Sequence, residues 1–187
     1  GRPMLWHIMR HYEHYGFTEF LVALGYKGEY IKHYFSDYHL SSRSIQVELK
    51  TGDVRVYEDG HTEDWVIDLI ETGMDTQTGG RIKRLSRYMD ETFFVTWGDA
   101  VSDVNIKELL EFHRSHGKLA TVTAVHPPPR YGQLVLEGDA VVEFTEKPLD
   151  KSWINGGFFV LEPGVSDFIE GDPTQWEREP METLASK

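Results

Sequence analysis

The sequence predicts an α/β protein with a doubly wound, mostly parallel sheet and two antiparallel hairpin excursions. Short runs of β-branched and aromatic residues alternate along the chain with amphipathic stretches of roughly a dozen residues. Two other segments alternate apolar and polar residues around a glycine turn, as hairpins do. The 187 residues, 40% hydrophobic and 13% aromatic, suffice for one domain with a sizeable core.

The first part of the chain begins with a predicted helix. Pro3 suits a first helical residue, apolar residues then recur at helical spacing, and Gly16 ends the helix. Apolar runs, a helical stretch and an alternating segment follow. These predict a strand at 20–24, a helix from 28 to about 35, a hairpin over 45–56 and a strand at 65–70.

The second part continues the alternation. A helix is predicted to begin at Thr78, and Asp103 is the predicted N-cap of another helix that Gly117 ends. Apolar runs predict the remaining strands, and Pro163 precedes a last helix. The predicted strands are 92–96, 119–125 and 158–161, with a hairpin over 133–144.

Composition excludes several classes of function. The net charge of −12 argues against binding to a nucleic acid polymer, because nucleic acid phosphates require a basic surface. No apolar run approaches the ~20 residues that span a bilayer, and no secretory signal opens the chain. Cysteine is absent, which excludes disulfides and thiolate metal sites. A cytoplasmic protein without membrane contact is therefore expected.

The tetrapeptide Trp97-Gly98-Asp99-Ala100 is the most informative segment. It follows a run of aromatic and β-branched residues, so it brings one carboxylate to the carboxyl end of a predicted buried strand. Ligands bind at that edge in open α/β sheets, and a carboxylate there suits a hard divalent cation beside phosphate oxygens. The alternative is a turn that only leads into the next helix.

Two other segments carry polar groups near predicted element ends. Thr78-Gly79-Gly80-Arg81 places N–H groups and a guanidinium at a helix start, which attracts phosphate or a base edge. Glu146-Lys147-Pro148 ends a strand, where Lys147 can meet phosphate and Glu146 sugar hydroxyls. The alternatives are a helix start with small residues for close packing and a solvated strand end.

Asn155-Gly156-Gly157 precedes a predicted core strand. An amide there can bond hydroxyl groups, and glycine lets a ligand approach the backbone. The alternative is a β-bulge or a turn.

His7, His11 and His14 share one helical face but lack the glutamate of the metalloprotease pattern, so they are interpreted as structural or exposed to solvent.

Taken in order, these segments resemble the sugar nucleotidylyltransferases, and within that family the cytidylyl branch. Gly98-Asp99 or Glu146-Lys147-Pro148 alone is a weak signal, whereas the ordered set is specific. The matching segments are Leu5-Trp6-His7-Ile8-Met9, Gly25-Tyr26-Lys27-Gly28, 78–84, 98–99, 146–148 and 154–160.

The resemblance implies transfer of a cytidylyl group from CTP to glucose 1-phosphate, with Mg²⁺ as the cofactor. It implies Asp99 as the metal ligand and Asp99, Arg81 and Lys147 as catalytic residues. It also implies synthesis of deoxysugars for surface polysaccharides and allows a homo-oligomer. The implied nucleotide-binding residues are Thr78, Gly79, Gly80 and Arg81, and the implied sugar-phosphate-binding residues are Gly132, Glu146, Lys147, Asn155 and Gly156.

The chain departs from the family pattern at its ends. It does not contain the family's first strand, the Gly-rich loop that cradles the triphosphate or the second metal-binding aspartate, and Ala100 replaces a usual glycine. We therefore expect residues 1–187 to be a partial nucleotidylyltransferase-like domain without appreciable activity alone. The alternatives are uridylyl or thymidylyl transfer, and a non-catalytic remnant that binds sugar phosphate.

Overall fold

Helices and strands alternate in the computed structural model, which describes residues 1–60, 62–127, 132–146 and 152–186. The chain forms two units, Gly1–Glu91 with Pro163–Lys187 and Thr92–Glu162. Within the described residues, no helix combines the length and the apolar character that crossing a bilayer requires.

The first unit is built on a parallel strand pair and the helices around it. Its elements are α1 (Met4–His14), β1 (Glu19–Leu24), α2 (Gly28–Ser36), α3 (Tyr38–Ser41), β2 (Ile45–Glu48), β3 (Asp53–Val56), β4 (Val66–Glu71), α4 (Thr78–Leu85), two 3₁₀ helices (Ser86–Tyr88 and Pro163–Phe168) and α6 (Glu179–Ala185), with α5 in the second unit.

The parallel pair β1 and β4 runs in register from Glu19↔Val66 to Leu24↔Glu71. Both strands therefore end at the same edge, where the completely buried Leu24 and Thr72 lie. Helix α1 buries Ile8, Met9 and Tyr12, which recur at helical spacing on one face. Strands β2 and β3 form the first predicted hairpin.

The second unit contains a three-stranded sheet, a helix and a hairpin. Its elements are β5 (Phe93–Thr96), α5 (Ile106–His116), β6 (Ala120–Val125), β7 (Gln133–Glu137), β8 (Ala140–Thr145) and β9 (Ile154–Leu161). Strand β9 lies between β5 and β6 and is antiparallel to both, so β5 and β6 run in the same direction. Its second half is buried from Gly157 to Leu161.

A directed chain of hydrogen bonds joins α5 to β6. The Lys118 N–H donates to His116 Nδ1 over 3.0 Å, so a neutral His116 ring carries its proton on Nε2 and donates it to Thr121 Oγ1 at 2.8 Å. The Thr121 hydroxyl then donates to Nδ1 of His113 at 2.8 Å. His113 is 1% exposed, and its Nε2–H donates to Glu162 Oε1 over 3.0 Å.

Glu162 ends this chain as its anionic acceptor. The hydrogen bond from His113, followed by one from the Thr92 hydroxyl at 2.8 Å, holds the pKa of Glu162 below its ordinary value. The network needs no charged histidine, because each ring donates through one nitrogen and accepts through the other. A buried polar cluster is thereby satisfied beside the apolar sheet.

The α/β class with parallel and antiparallel strand pairs is confirmed, and several boundaries differ from those predicted. Asp103 is not the N-cap of α5: Asn105 Oδ1 accepts from the Glu108 N–H over 3.2 Å, and Asn105 Nδ2 donates to the Glu108 carboxylate at 2.8 Å. This reciprocal pair satisfies a free helix N–H that Asp103, two residues earlier, does not reach. The segment after Pro163 is a 3₁₀ helix, and β9 begins at Ile154 rather than 158.

The lowered pKa of Glu162 predicts a pH-dependent contribution to stability. Glu162→Gln keeps an acceptor oxygen but removes the charge, so at pH 7 it should lower the unfolding free energy by no more than about 1 kcal/mol, because the side chain is partly exposed. The contribution is present above the ordinary carboxyl pKa of ~4.3 and is lost as pH falls through the folded value. Urea unfolding at several pH values measures this difference.

Glu111→Gln on the exposed face of α5 is the matched control, and it should leave stability unchanged at every pH. A wild-type advantage over Glu162→Gln that grows toward low pH would contradict the assignment.

Candidate active site

In the second unit, three strand ends meet at one edge of the sheet. The register pairs Thr96 at the end of β5 with Phe158, and Val125 at the end of β6 with Ile154. Since β5 and β6 both oppose β9, their carboxyl ends lie beside the first five residues of β9, β6 at Ile154 and β5 at Phe158. We call this region, formed by residues 97–99, 125–126 and 153–157, the strand-end edge.

Gly157 permits the close packing at the strand-end edge. Its φ is +78°, a backbone conformation that side chains other than glycine rarely adopt. A Cβ at Gly157 would lie 3.1 Å from Cδ1 of Trp97. The Trp97 ring also packs against Phe159, with 5.4 Å between ring centroids. Trp97 is thus fixed over β9, and the chain leaves the sheet directly after it.

Asp99 lies on this exit segment and is exposed. A Cβ at the preceding Gly98 would meet no atom within 4 Å, so the segment has open space around it. Within the described residues, the Asp99 carboxylate takes part in no hydrogen bond or ion pair. It is a single exposed anionic group that is available to a ligand.

Asn155 and Gly156 occupy the facing part of β9. Asn155 Oδ1 accepts from the Gly157 N–H at 2.8 Å, which orients its exposed amide. A Cβ at Gly156 would lie 2.9 Å from the Thr123 carbonyl oxygen, so glycine lets β9 approach β6 where their register shifts. The sequence-based alternative of a bulge or turn therefore describes the backbone, and Asn155 still presents its amide to solvent.

Gly132 and Glu146 lie side by side at the open end of the β7–β8 hairpin, next to the pair Gln133↔Thr145. A Cβ at Gly132 would lie 2.8 Å from the Phe144 ring and 3.1 Å from Glu146 Oε2. Two predicted sugar-binding residues are thus adjacent in space although distant in sequence. The predicted phosphate-binding Lys147 lies outside the described residues.

In the first unit, the segment that begins α4 packs closely against residues 171–177. Thr78 Oγ1 donates to Glu177 Oε2 at 2.6 Å and accepts from the Trp176 N–H at 2.9 Å. A Cβ at Gly79 would lie 2.8 Å from the Thr174 carbonyl oxygen, and one at Gly80 would lie 2.6 Å from that of Asp172. These contacts support the alternative interpretation of this segment, in which its small residues allow close packing.

Arg81 binds the ends of both parallel strands. Its Nη1 donates to the Leu24 carbonyl over 3.0 Å and to Thr72 Oγ1 at 2.6 Å, and the Thr72 hydroxyl donates to the same carbonyl at 2.7 Å. A Cβ at Gly25 would lie 2.5 Å from Arg81 Nη2, so the guanidinium lies against this glycine. Sequence reasoning missed Thr72, because no local pattern marks it.

No group of three or more histidine, aspartate or glutamate side chains able to hold a metal occurs in the described part of the chain. The three histidines of α1 have aromatic neighbours: His7 meets Trp6 edge-on, and His11 and His14 both meet Tyr15. Among the residues of the strand-end edge, the carboxylate belongs to Asp99, and Mg²⁺ is commonly bound by one or two carboxylates with further oxygens from substrate and water.

The sequence profile of the family described as "Nucleotidyl transferase" matches residues 1–185. The chain therefore belongs to the nucleotidyl transferase family.

Curated relatives indicate the branch of the family. The chain is 44% identical to "Glucose-1-phosphate cytidylyltransferase" of Salmonella typhi, covering 100% of this chain and 74% of that protein. It is 43% identical to "Probable glucose-1-phosphate cytidylyltransferase" of Bacillus subtilis, covering 99% and 73%. The crystal structure of HddC from Yersinia pseudotuberculosis shares the fold, with a TM-score of 0.65 and 23% identity, over 96% of this chain and 71% of that one.

The contacts of Arg81 predict that its substitution lowers the stability of the fold, independently of any ligand. Arg81→Ala should lower the unfolding free energy by about 2 kcal/mol, because it removes two hydrogen bonds from a charged donor at the strand ends. Arg87→Ala, whose guanidinium lies over the exposed Tyr88, should change stability by less than about 0.5 kcal/mol. Equal stability of the two variants in urea titrations would show that Arg81 does not hold these strands.

Proposed function

We propose that the protein transfers the cytidylyl group of CTP to glucose 1-phosphate, giving CDP-glucose and pyrophosphate. An oxygen of the sugar phosphate forms a bond to the α-phosphorus of CTP, and the bond from that phosphorus to the bridging oxygen of pyrophosphate breaks. Such a reaction needs positioning and charge neutralisation rather than a protein nucleophile. The named activity of relatives at 43–44% identity supports this branch of the family.

Asp99 is the observation that carries the proposal. Its exposed carboxylate lies three residues beyond the end of β5 and has no hydrogen-bond or ion-pair partner within the described residues, so it remains available to a cation. A carboxylate without a structural partner at a strand end suits a hard cation better than a turn role, because a turn requires no charge. We assign Asp99 as the Mg²⁺ ligand on this basis.

Mg²⁺ fits this donor set because it is commonly bound through one or two carboxylates together with substrate phosphates. When bound, it would neutralise charge on the phosphate oxygens that develops during transfer. The Trp97–Gly157 packing fixes the point at which the segment that carries Asp99 leaves the sheet.

We assign the sugar phosphate to the second unit. The exposed amide of Asn155 and the carboxylate of Glu146 can exchange hydrogen bonds with hydroxyl groups, and Gly132 and Gly156 allow close approach of the backbone. Lys147, the residue after Glu146, is the proposed cation for the sugar phosphate.

We assign the nucleotide to Arg81 and the segment that begins α4, Thr78, Gly79 and Gly80. Arg81 Nη1 is engaged at the strand ends, and the guanidinium fork also carries N–H groups on Nε and Nη2. The close packing of Gly79 and Gly80 supports an indirect role as well, in which the segment holds Arg81 in position.

Residues 1–187 are, in this proposal, part of a nucleotidylyltransferase domain that acts in the cytoplasm. CDP-glucose would feed deoxysugar synthesis for surface polysaccharides, and a homo-oligomer is compatible with the fold. A branch that uses UTP or dTTP and a non-catalytic protein that binds sugar phosphate are the competing functions. Both are separable from the proposed one by assay.

Pyrophosphate release from glucose 1-phosphate and Mg²⁺ with CTP, UTP, dTTP or ATP tests the proposal in the full-length protein. CTP should be preferred. Asp99→Asn should reduce turnover by roughly a hundredfold or more, because an amide is a poor Mg²⁺ ligand and the charge is lost. Asp103→Asn, an exposed carboxylate four residues along, is the matched control and should turn over normally.

If the protein prefers UTP or dTTP, it belongs to the uridylyl or thymidylyl branch instead of the cytidylyl branch. If it turns over no nucleotide, the result favours a non-catalytic protein that binds sugar phosphate. A near-normal rate for Asp99→Asn would show that Asp99 is only a turn residue and not the metal ligand.

Lys147→Ala should weaken the use of glucose 1-phosphate far more than that of CTP. Loss of one charge-assisted phosphate contact costs about 1.5–3 kcal/mol, or one to two decades in apparent affinity. Titration of each substrate with the other saturating measures the two effects, and Lys107→Ala on the exposed face of α5 serves as control. A larger defect with CTP would assign Lys147 to the nucleotide and leave Arg81 for the sugar phosphate.

A further inference from the structure

An exposed pair of aromatic rings extends the strand-end edge beyond the last paired residues of β6 and β9. Val125 and Ile154 are the last register partners, and His126 and Trp153 are the next residues on the two strands. Their rings stack with 3.7 Å between centroids and 29° between planes. The pair therefore forms a flat surface at the mouth of the same sheet edge.

The orientation of His126 is set by a backbone acceptor. His126 Nδ1 lies 3.0 Å from the Ser152 carbonyl oxygen, which can only accept, so Nδ1 carries a proton. In the neutral ring Nε2 is then an acceptor, able to receive a hydroxyl proton from a ligand. The hydrogen bond and the stack together hold the surface in one arrangement before any ligand arrives.

Trp153 remains 66% exposed despite this stack. Tryptophan joins a large apolar face to a polar N–H group, and for that reason it is enriched at binding interfaces. Asn155, two residues further on, also has an exposed side chain, and residues two apart share a face where the chain is extended.

We propose that Trp153, held by His126, is a stacking platform for the pyranose ring of the sugar phosphate. The C–H face of a pyranose is apolar and its hydrogens carry partial positive charge, which suits the electron-rich face of an indole. The hydroxyl groups lie around the rim of the ring, where the Asn155 amide and His126 Nε2 can bond them. Trp153 is thus a positioning residue that orients the ring, and it contacts none of the reacting phosphate atoms.

This inference rests on the proposed function, and binding measurements separate the two. CDP-glucose and CDP differ only in the sugar. Calorimetric titration of the full-length protein with each ligand and Mg²⁺ should show that Trp153→Leu weakens CDP-glucose about tenfold and leaves CDP within twofold. Trp153→Phe, which keeps an aromatic face, should recover most of the lost affinity.

In steady-state assays, Trp153→Leu should raise KM for glucose 1-phosphate about tenfold, while kcat and KM for CTP stay within a few fold. Tyr30→Leu on α2 is the matched control, since Tyr30 is also 66% exposed and lies in the other unit. It should change none of these values.

Each other outcome has a defined meaning. Equal loss of CDP-glucose and CDP affinity would show that Trp153 stacks on the base, and unchanged affinity for both would make the ring pair a surface contact only. Either result overturns the platform while leaving the proposed function intact. Wild-type protein that binds neither ligand would overturn the proposed function itself and the platform with it.

Discussion

The antiparallel placement of β9 between β5 and β6 is the constraint on which the candidate site depends. It brings the carboxyl ends of two strands and the start of a third to one edge, so Asp99, Asn155 and Trp153 lie in one region despite their separation in sequence. Gly157 makes this possible, because its positive φ and missing side chain let Trp97 pack over β9. A side chain at that position would displace the indole from which the Asp99 segment departs.

In the first unit, the segment proposed to bind the nucleotide also has a structural role. The glycines of α4 allow its close approach to residues 171–177, and Arg81 uses Nη1 to join the ends of β1 and β4. A guanidinium held in this way is pre-organised, which reduces the entropy lost when it meets a ligand. The packing role of these residues is thus compatible with the nucleotide-binding role proposed for them.

The sequence predicted correctly the strands and hairpins that are determined by residues close together in the chain. The aromatic run before Asp99 fixes a strand and its exit, and alternation around glycine fixes both hairpins. Sequence reasoning failed where the partner of a residue is distant in sequence, or where two neighbouring residues are equally suited to one role. Both Asp103 and Asn105 are good N-cap residues, and the backbone geometry places Asn105 at the start of α5. The contact of Arg81 with Thr72 and the stack of His126 on Trp153 depend on strand register, which no local pattern reveals.

Hydrogen exchange of the full-length protein with and without CDP-glucose and Mg²⁺ tests most directly whether the strand-end edge is the reaction site. Ligand should slow exchange at residues 97–99 and 153–157 and leave the β2–β3 hairpin at 45–56 unchanged, because the hairpin belongs to the other unit and lies outside the assigned contacts. Saturating ligand that protects other segments while exchange at 97–99 and 153–157 stays the same would contradict this account.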